Sequence, residues 1–493
     1  MSKHLIYNIQ LAKSAVPIVR KLTNFWHFRI QPKSNTGASL HDNATINAYN
    51  RSRPLGARNT ICYAPFKSLY FSPEGEVYAC CYNRTTVLGT YPEHTLKEIW
   101  QGSIIESLRT ALKDNDLSKG CFLCLTQMKE KTYNTVLARG FDSLPKGKYP
   151  SLIEFEMSNT CNLACVMCDG NYSSIIRKER EKLPPLKNPY DDAFLTQLEE
   201  FIPHLSKAKF MGGEPFLIPI YYKIWEMIIS LNPNCIISVQ TNGTIYNKQI
   251  ESLLKQGNFH ISVSVDAISK EVFDNIRLRG IFGKVMNNIK HFRAYCHDRR
   301  THFGIATCPM QQNWHEIPDI VKYCNELKAP IYMNRVSQPL HSTLMSLDST
   351  ALTHIHQAYL KVELPAETRI QQRNKVQFME LTEQIANWAE KAKTHEQWLK
   401  RLNNMDNEAL KSDLFDKLAQ YINEADLEQT NPAGVKAAMD KLEHLLSHFS
   451  SQDKYRSFLF KLHEFSAEDI VLGINYISDE SLLAQFEAYL HNK

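Results

Sequence analysis

Three cysteines stand at C-x3-C-x2-C spacing in the segment SNTCNLACVMCDG, residues 158–170. Three thiolates can hold three irons of a four-iron cubane cluster and leave the last iron open to a ligand that is not protein. Zinc is the alternative, but a structural zinc site needs four ligands, and no histidine lies within the segment. The spacing of Cys161, Cys165 and Cys168 therefore favours an iron-sulfur cluster.

The elements around this segment indicate how the thiols are positioned. From about residue 151, six β-rich runs alternate with stretches of helical periodicity: SLIEFEMSN, KAKFMGG, CIISVQTNG, HISVSVDA, HFGIATC and PIYMNRV. Continuous apolar strands in a β-α series indicate a parallel sheet covered by helices. We predict an α/β fold with a partial (β/α)6 TIM-like barrel. The thiols follow the first strand, at the edge where such barrels place their active sites.

Composition limits the class of protein. The chain has 493 residues, of which 43% are hydrophobic and 22% charged, as in globular proteins with several domains. The net charge of +5 gives no argument for nucleic acid as a partner. No apolar run reaches the ~20 residues of a membrane span, and the start lacks a signal-peptide pattern. We expect a cytoplasmic protein with no transmembrane segment, whose clustered cysteines bind metal rather than form disulfides.

The motifs together resemble those of radical S-adenosylmethionine (SAM) enzymes, which carry CxxxCxxC after the first strand of a partial barrel. MGGEP (211–215) is similar to the family's GGEP element, which lies against the amino group of SAM. QTNGT (240–244) and SVDA (264–267) are similar to elements near the SAM ribose. The resemblance implies SAM contacts from Met167, Gly212, Gly213, Glu214, Asn242, Ser264, Asp266 and Arg277. Arg277 is expected to pair with the SAM carboxylate, and Met167 either touches adenine or packs the loop.

The resemblance also implies an activity. A [4Fe-4S] cluster held by three cysteines reductively cleaves SAM to a 5′-deoxyadenosyl radical, which abstracts hydrogen from a substrate. Such an enzyme needs an electron donor such as a flavodoxin or ferredoxin. The alternative is a non-catalytic iron-sulfur scaffold, but GGEP, TNGT, SVDA and Arg277 together favour the enzyme, because a scaffold needs no SAM pocket.

The segment from ICYAPF to GCFLC, residues 61–124, contains five further cysteines. It reads as a strand pair turned by SPEG, then a helix, then CxxC. It resembles the twitch or SPASM-type auxiliary iron-sulfur domain, here preceding the barrel. The resemblance implies a second [4Fe-4S] cluster and leaves Cys81 as a spare thiol; its ligands are Cys62, Cys80, Cys121 and Cys124. Zinc remains the alternative, since four thiolates also satisfy zinc.

We predict four domains. They are a basic N-terminal arm (1–55), a twitch/SPASM-like auxiliary domain (56–130), a radical SAM partial barrel (131–345) and a helical C-terminal domain (346–493). The arm is expected to be a packing arm or tail, with peripheral membrane contact by residues 1–30 as the alternative. In the tail, the helical spacing of Phe378, Leu381, Ile385, Trp388 and Ala392 predicts a buried stripe.

The predicted substrate is a ribosomal peptide, and the alternative is a carbohydrate or other small metabolite. A net oxidation is expected, with the auxiliary cluster accepting the substrate's electron. An epimerisation would need a hydrogen donor instead, and Cys308, after the fifth strand, is the candidate thiol, although a buried structural role is the more common one for free cysteine. No side chain is assigned as catalytic.

Overall fold

A computed structural model describes residues 43–129, 131–424 and 427–465, with single positions beyond, up to Leu483. Helices and strands are numbered in chain order within this part. The strands are β1 Ser68–Phe71, β2 Glu76–Tyr78, β3 Gly89–Thr90, β4 Leu152–Phe155, β5 Lys207–Phe210, β6 Ile236–Thr241, β7 Phe259–Ser264, β8 Phe303–Thr307 and β9 Ile331–Met333.

The helices fall into three groups along the chain. Before β4 they are α1 Asn43–Arg51, α2 Ala64–Lys67, α3 Leu96–Gln101, α4 Ser103–Lys113 and α5 Phe122–Lys129. Between β4 and β9 they are α6 Ser174–Glu179, α7 Asp192–Glu199, α8 Pro219–Leu231, α9 Lys248–Gln256, α10 Lys270–Ile276, α11 Phe282–Arg299 and α12 Ile317–Glu326. After β9 they are α13 Ser349–Leu360, α14 Arg369–Asn403, α15 Asn407–Glu424, α16 Leu427–Thr430, α17 Pro432–Ser447 and α18 Gln452–His463.

The described strands form one sheet in the order β3-β2-β1-β4-β5-β6-β7-β8-β9. Each neighbouring pair from β4 to β9 is parallel. Every one of the six predicted β-rich runs coincides with one of these strands to within one residue at its start or contains it, and helices connect them in turn. The predicted six-unit parallel arrangement of a partial TIM-like barrel is therefore confirmed.

The auxiliary segment is continuous with this sheet. Strand β1 pairs in parallel with β4, with Tyr70 opposite Glu154, and β2 and β3 add antiparallel strands. Gly75 makes the turn between β1 and β2 at φ +90°, where a Cβ would lie 2.3 Å from the Tyr91 carbonyl oxygen. We predicted separate domains over 56–130 and 131–345. In the structure the strands of both ranges belong to one sheet, and both ranges lie in one compact unit, Leu40–Thr394.

The two faces of the sheet differ. On one face Phe155 and Phe210 stack with ring centroids 4.8 Å apart, and Phe210 packs edge-on against Trp225 of α8. On the other face the side chains of β5, β6 and β7 are partly exposed, because burial alternates residue by residue along these strands. The expectation of continuously apolar strands was wrong here. The inner face is polar, as for a barrel that keeps a lumen.

Local sequence signals fix several helix starts. Thr95 and Glu98 form a reciprocal capping box at α3. The side chains of Asp191, Asn247 and Ser269 accept a backbone N–H at the starts of α7, α9 and α10. These caps hold the helices that cover the outer face of the barrel.

The predicted helical C-terminal region is confirmed, and it contributes to two compact units. In the first, Phe378, Leu381 and Ile385 of α14 are buried in the barrel's hydrophobic core, as the stripe predicted. The second unit begins at His395 and has its own core, formed largely by leucines of α15, α17 and α18. Of the predicted arm, 1–55, residues 1–42 lie outside the described residues, whereas α1 is described and buries Ile46 and Tyr49 in the hydrophobic core. No helix in the described ranges is long and apolar enough to cross a membrane.

Candidate iron-sulfur and SAM site

The three-cysteine loop follows β4 and is held by its own polar groups. Asn159 donates from Nδ2 to the Gly170 carbonyl at 2.8 Å, and Ser173 donates from Oγ to the Leu163 carbonyl at 2.7 Å. The loop also joins the segment after α10, since the backbone N–H of Ala164 donates to the carbonyl of Leu278 at 3.0 Å. The loop therefore has a defined backbone, at the carboxyl end of β4 that the sequence predicted.

The thiols of this loop are partly exposed. Cys161, Cys165 and Cys168 are free and have intermediate accessibility. Burial raises the pKa of Cys161 to about 11, so this thiol keeps its proton at neutral pH unless a cation lies beside it. An iron-sulfur cluster supplies that cation, because its ligands are thiolates. Three clustered thiols that face solvent suit a cluster with one position left for another ligand.

The GGEP loop lies against the cysteine loop. Gly213 donates its N–H to the Ser158 carbonyl at 3.0 Å, and Glu214 donates to the Thr160 carbonyl at 2.8 Å. A Cβ on Gly213 would lie 2.2 Å from the Thr160 oxygen, and one on Gly212, at φ +110°, would lie 2.5 Å from the Ser158 oxygen. We expected the glycines to allow close approach of SAM. In the structure, the carbonyl oxygens of the cysteine loop lie so close to Gly212 and Gly213 that neither position has room for a side chain.

Glu214 is fully buried and bonded within the protein. Its carboxylate accepts hydrogen bonds from the Thr241 hydroxyl at 2.7 Å, from the Asn242 N–H at 2.7 Å and from the Phe216 N–H at 3.2 Å. Burial raises the pKa of Glu214 to about 7 despite these donors. The side chain therefore connects the GGEP loop to the TNGT loop. Contact of this carboxylate with the SAM ammonium stays a prediction.

Asn242 extends from the TNGT loop to the cysteine loop. Its Nδ2 donates to Asn162 Oδ1 at 3.0 Å and lies 3.9 Å from Cys161 Sγ. Asn162 in turn donates to the Thr244 hydroxyl at 2.9 Å. The sequence analysis named Asn242 but missed Asn162, although it directly follows the first cysteine. Its amide connects the TNGT loop to the loop that carries the thiols.

Asp266 and Arg277 form a buried ion pair, with Nη2 and Oδ2 2.6 Å apart. Asp266 also accepts the N–H of Cys308 at 2.7 Å. The sequence assigned these two side chains to different parts of SAM and did not predict that they pair. Among the described residues, the buried Nε of Arg277 has no hydrogen-bond partner. That donor leaves one direction open for an anionic group such as a carboxylate, so the site fits SAM.

Met167 and Cys308 pack against one small cluster of buried apolar side chains, formed by Ile276, Met310 and Val336. This contact agrees with the loop-packing interpretation of Met167, and adenine contact stays a prediction. Cys308 follows β8 beside Asp266. Ser264, the last residue of β7, is partly exposed on the inner face.

Four further thiols line a single cavity in the auxiliary segment: Cys62, Cys80, Cys121 and Cys124. The remaining wall is mostly apolar and includes Leu108, Leu112 and Met128. All four cysteines are free, and burial raises the pKa of Cys80 to about 12 and of Cys124 to about 11. Cys62, Cys80 and Cys124 are buried and Cys121 is partly exposed. Four thiols around one mostly apolar cavity fit a metal centre, which would bind them as thiolates.

The Cys80–Cys81 pair separates two environments. Cys80 lines the four-thiol cavity, whereas Cys81 is not part of its wall. Burial raises the pKa of Cys81 to about 12, and its electrostatic neighbours are Glu154, Lys209 and Arg84.

A single zinc ion needs its thiolate ligands about 2.3 Å away. No group of three or more His, Cys, Asp or Glu within residues 43–129, 131–424 and 427–465 is arranged to hold one ion.

Two ion pairs on the inner face were missed by the sequence analysis. Lys209 Nζ lies 2.9 Å from Glu154 Oε2 on the neighbouring strand. Arg84, on the loop after the two cysteines, lies 3.4 Å from Glu156 and stacks over the Tyr70 ring at 4.2 Å. The alternation of lysines in KAKF, the sequence of β5, was the signal for a polar inner face.

Comparison with protein families agrees with this geometry. Residues 155–324 match the family model described as the radical SAM superfamily, and residues 62–125 match SPASM, described as an iron-sulfur cluster-binding domain. The chain thus contains a radical SAM domain preceded by a SPASM-type iron-sulfur domain. The cofactors of this combination are SAM and [4Fe-4S] clusters, and the predicted resemblance is confirmed.

Individual relatives are distant. The cysteine-type anaerobic sulfatase-maturating enzyme of Clostridium novyi (strain NT) is 28% identical over 175 residues, 34% of this chain and 45% of the relative. The GTP 3′,8-cyclase of Clostridium botulinum (strain Okra / Type B1) is 24% identical over 144 residues, which are 29% of this chain and 44% of the relative. The crystal structure of Streptococcus suis SuiB bound to precursor peptide SuiA matches with a TM-score of 0.31 and 14% identity. The match covers 53% of this chain and 51% of the SuiB chain. The chain spans less than half of the two curated relatives.

Proposed function

We propose that this chain is an enzyme that reductively cleaves SAM and abstracts hydrogen from a bound peptide, with net oxidation of that peptide. The observation that carries the proposal is the continuity of the sheet. The loop after β4 carries three partly exposed cysteines, and β1, which pairs with β4, belongs to the segment whose cavity is lined by four cysteines. When bound, a [4Fe-4S] cluster with SAM supplies one-electron cleavage to a 5′-deoxyadenosyl radical.

The chain's own residues would hold and orient these groups. Cys161, Cys165 and Cys168 are proposed as the ligands of the SAM-binding cluster. Arg277, fixed by Asp266, would direct its free Nε toward the SAM carboxylate. Hydrogen bonds hold Gly213 and Glu214 to the cysteine loop and join Asn242 both to Glu214 and to Asn162. Asp266 is held instead by the Cys308 N–H and by Arg277.

The four-thiol cavity is proposed to hold an auxiliary [4Fe-4S] cluster, with Cys80 and not Cys81 as a ligand. Four ligands saturate such a cluster, so it has no open iron for SAM. A saturated cluster beside the barrel suits the acceptance of an electron from a substrate radical, which would make the reaction an oxidation. A flavodoxin- or ferredoxin-type donor is proposed for the first cluster.

A peptide is proposed as substrate because the inner face of the sheet is polar and partly exposed, which leaves a lumen for a chain with polar groups. The name of the Clostridium novyi relative, a sulfatase-maturating enzyme, also favours a polypeptide. The name of the other curated relative, a GTP cyclase, favours a small molecule. A small metabolite is therefore the second candidate.

The test is anaerobic reconstitution with iron and sulfide, followed by SAM and dithionite. We expect 5′-deoxyadenosine and methionine, measured by chromatography and mass spectrometry. A protein that carries its clusters yet never cleaves SAM would contradict the proposal and support a scaffold. With a substrate peptide in hand, a product lighter by two hydrogens supports oxidation. A product whose mass is unchanged in H2O and which gains one deuterium in D2O would contradict it and direct attention to Cys308.

A further inference from the structure

The lumen-facing row of the sheet contains charged groups that the fold does not require. Cross-strand neighbours in this row are Tyr70, Glu154, Lys209, Ser238 and His260. Replacing a buried ion pair with apolar side chains of similar size is often neutral or stabilising. In the pair formed by Glu154 and Lys209 the carboxylate is buried and the ammonium is partly exposed, so the pair contributes little to stability and its cation is available to a ligand.

The two ion pairs share one arrangement. Only 4% of the Glu154 side chain and 8% of the Glu156 side chain is exposed, whereas Lys209 is 33% and Arg84 28% exposed. In both pairs the carboxylate is covered and the cation is accessible. A molecule that enters the lumen therefore meets an ammonium and a guanidinium before it meets their counter-ions.

Both cations retain donors. An ammonium has three N–H groups, and Lys209 uses one of them on Glu154. Arg84 donates from Nε to the Cys81 carbonyl at 3.0 Å and from Nη2 to Tyr70 and Glu156. Its Nη1 makes no hydrogen bond to any of the described residues. Spare donors on two accessible cations suit a carboxylate, which accepts several hydrogen bonds at once.

The position of these cations relates them to both thiol sites. Glu156 lies on the chain between β4 and the three-cysteine loop, and its side chain lies beside Gly212 of the GGEP loop. Arg84 comes from the loop that follows Cys80 of the four-thiol cavity. Arg84 and Lys209 are both electrostatic neighbours of Cys81, so the two cations lie on the same part of the inner face.

We propose that Lys209 and Arg84 bind a carboxylate of the substrate, as the side chain of an aspartate or glutamate near the residue that is modified. The inference rests on the proposed function and deepens it, by naming an acidic peptide as the substrate class. Lys209 and Arg84 are specificity-determining residues in this arrangement. Neither is among the proposed cluster ligands.

The test uses reconstituted full-length protein and two probes, N-acetyl-glutamate N-methylamide and its glutamine counterpart. Binding is measured by saturation-transfer NMR titration. We expect the glutamate probe to bind at least about tenfold more tightly, because only its carboxylate makes charge-assisted hydrogen bonds. Equal binding of the two probes, or no binding of either, would overturn the proposal.

Variants locate the binding. Glu154→Gln with Lys209→Met removes both charges together, so that no buried charge is left unpaired. We expect this pair to lose about tenfold in affinity for the glutamate probe, and Lys209→Arg to retain it within about threefold. Glu251→Gln with Lys255→Met removes an exposed ion pair of the same type on α9 and is the matched control. Wild-type affinity in the first variant would refute the site.

Dithionite-driven SAM cleavage is measured on the same preparations. If the wild type cleaves SAM but does not discriminate between the probes, the carboxylate site is wrong and the proposed function stands. If it discriminates between the probes but never cleaves SAM, the proposed function fails on its own.

Discussion

The two thiol sites differ in how they are enclosed. Cys161, Cys165 and Cys168 lie on a loop at the carboxyl ends of the barrel strands and are all partly exposed. In the auxiliary segment, Cys62, Cys80 and Cys124 are buried within a mostly apolar cavity. A site with three thiols and an open side can accept a further ligand, whereas a site with four thiols and a closed wall cannot. Cys121, the fourth thiol of the cavity, is partly exposed like the thiols of the loop, so the two sites differ in the burial of three thiols and in the number of thiols.

The residues that surround the two thiol sites also differ, in their polarity. The three-thiol loop is held by polar contacts from the GGEP and TNGT loops, including the amide of Asn242 at 3.9 Å from Cys161 Sγ. The four-thiol cavity is closed chiefly by leucines, Met128 and Phe141. Polar support next to an open site orients a polar cofactor, and apolar support around a closed one excludes water.

The largest expected effect separates the two sites by composition. Replacing Cys161, Cys165 and Cys168 together by alanine should reduce 5′-deoxyadenosine to background and lower the iron content from about eight to about four. Cys324→Ala, at a fully buried thiol in α12, is the control and should keep both. Triple-variant protein that still cleaves SAM would end the radical interpretation. Zinc in its residual site would refute the auxiliary cluster.

Neighbouring cysteines test the closed site alone. Cys80→Ala removes a thiol from the cavity wall, so about four irons should be lost while the other cluster remains. Cys81→Ala should keep all of the iron, because Cys81 is not part of that wall. Iron analysis and electron paramagnetic resonance of the reduced proteins provide the measurement. The reverse pattern would show that the pair had been assigned the wrong way round.

The three-thiol site should also depend on Gly213, which has no side chain to bind a cluster but packs against the cysteine loop. In Gly213→Ala the new Cβ would lie 2.2 Å from the Thr160 carbonyl, so the cysteine loop must move. We expect loss of about four irons and of SAM cleavage, while the auxiliary cluster stays. Gly283→Ala is the matched control, since nothing lies within 4 Å of its Cβ position. If Gly213→Ala keeps the iron of the cluster proposed at Cys161, Cys165 and Cys168, the cysteine loop does not depend on close packing against Gly213.

The smallest expected effect is a pH dependence of stability. Burial raises the pKa of Glu214 to about 7 from its usual 4.5. The native state then binds a proton that the unfolded state releases, so the free energy of unfolding should fall as pH rises from 4.5 to about 7. Glu214→Gln should lack this part of the slope in anaerobic urea titrations. Parallel slopes in both proteins would show that Glu214 is ionised throughout.

The sequence predicted the open barrel because each strand carries its own signal. The six β-rich runs, separated by helical periodicity, allow few arrangements other than a parallel sheet. It did not predict the junction of β1 with β4, since strand pairing between distant segments has no local signature. The sequence analysis also left the polar inner face unpredicted, although the alternating lysines of KAKF put two charged side chains on one face of β5.

What the sequence determined by itself was the chemistry of the two sites. The spacing of Cys161, Cys165 and Cys168 favours a cluster held by three thiolates, whereas the four auxiliary cysteines were predicted from the resemblance to twitch and SPASM domains. Only the tertiary structure decided the partners. Arg277 pairs with Asp266, and Glu214 with the TNGT loop, because these side chains leave water together and buried charges need hydrogen-bond partners. Lys209 and Arg84 remain accessible because the open barrel leaves a lumen in front of them.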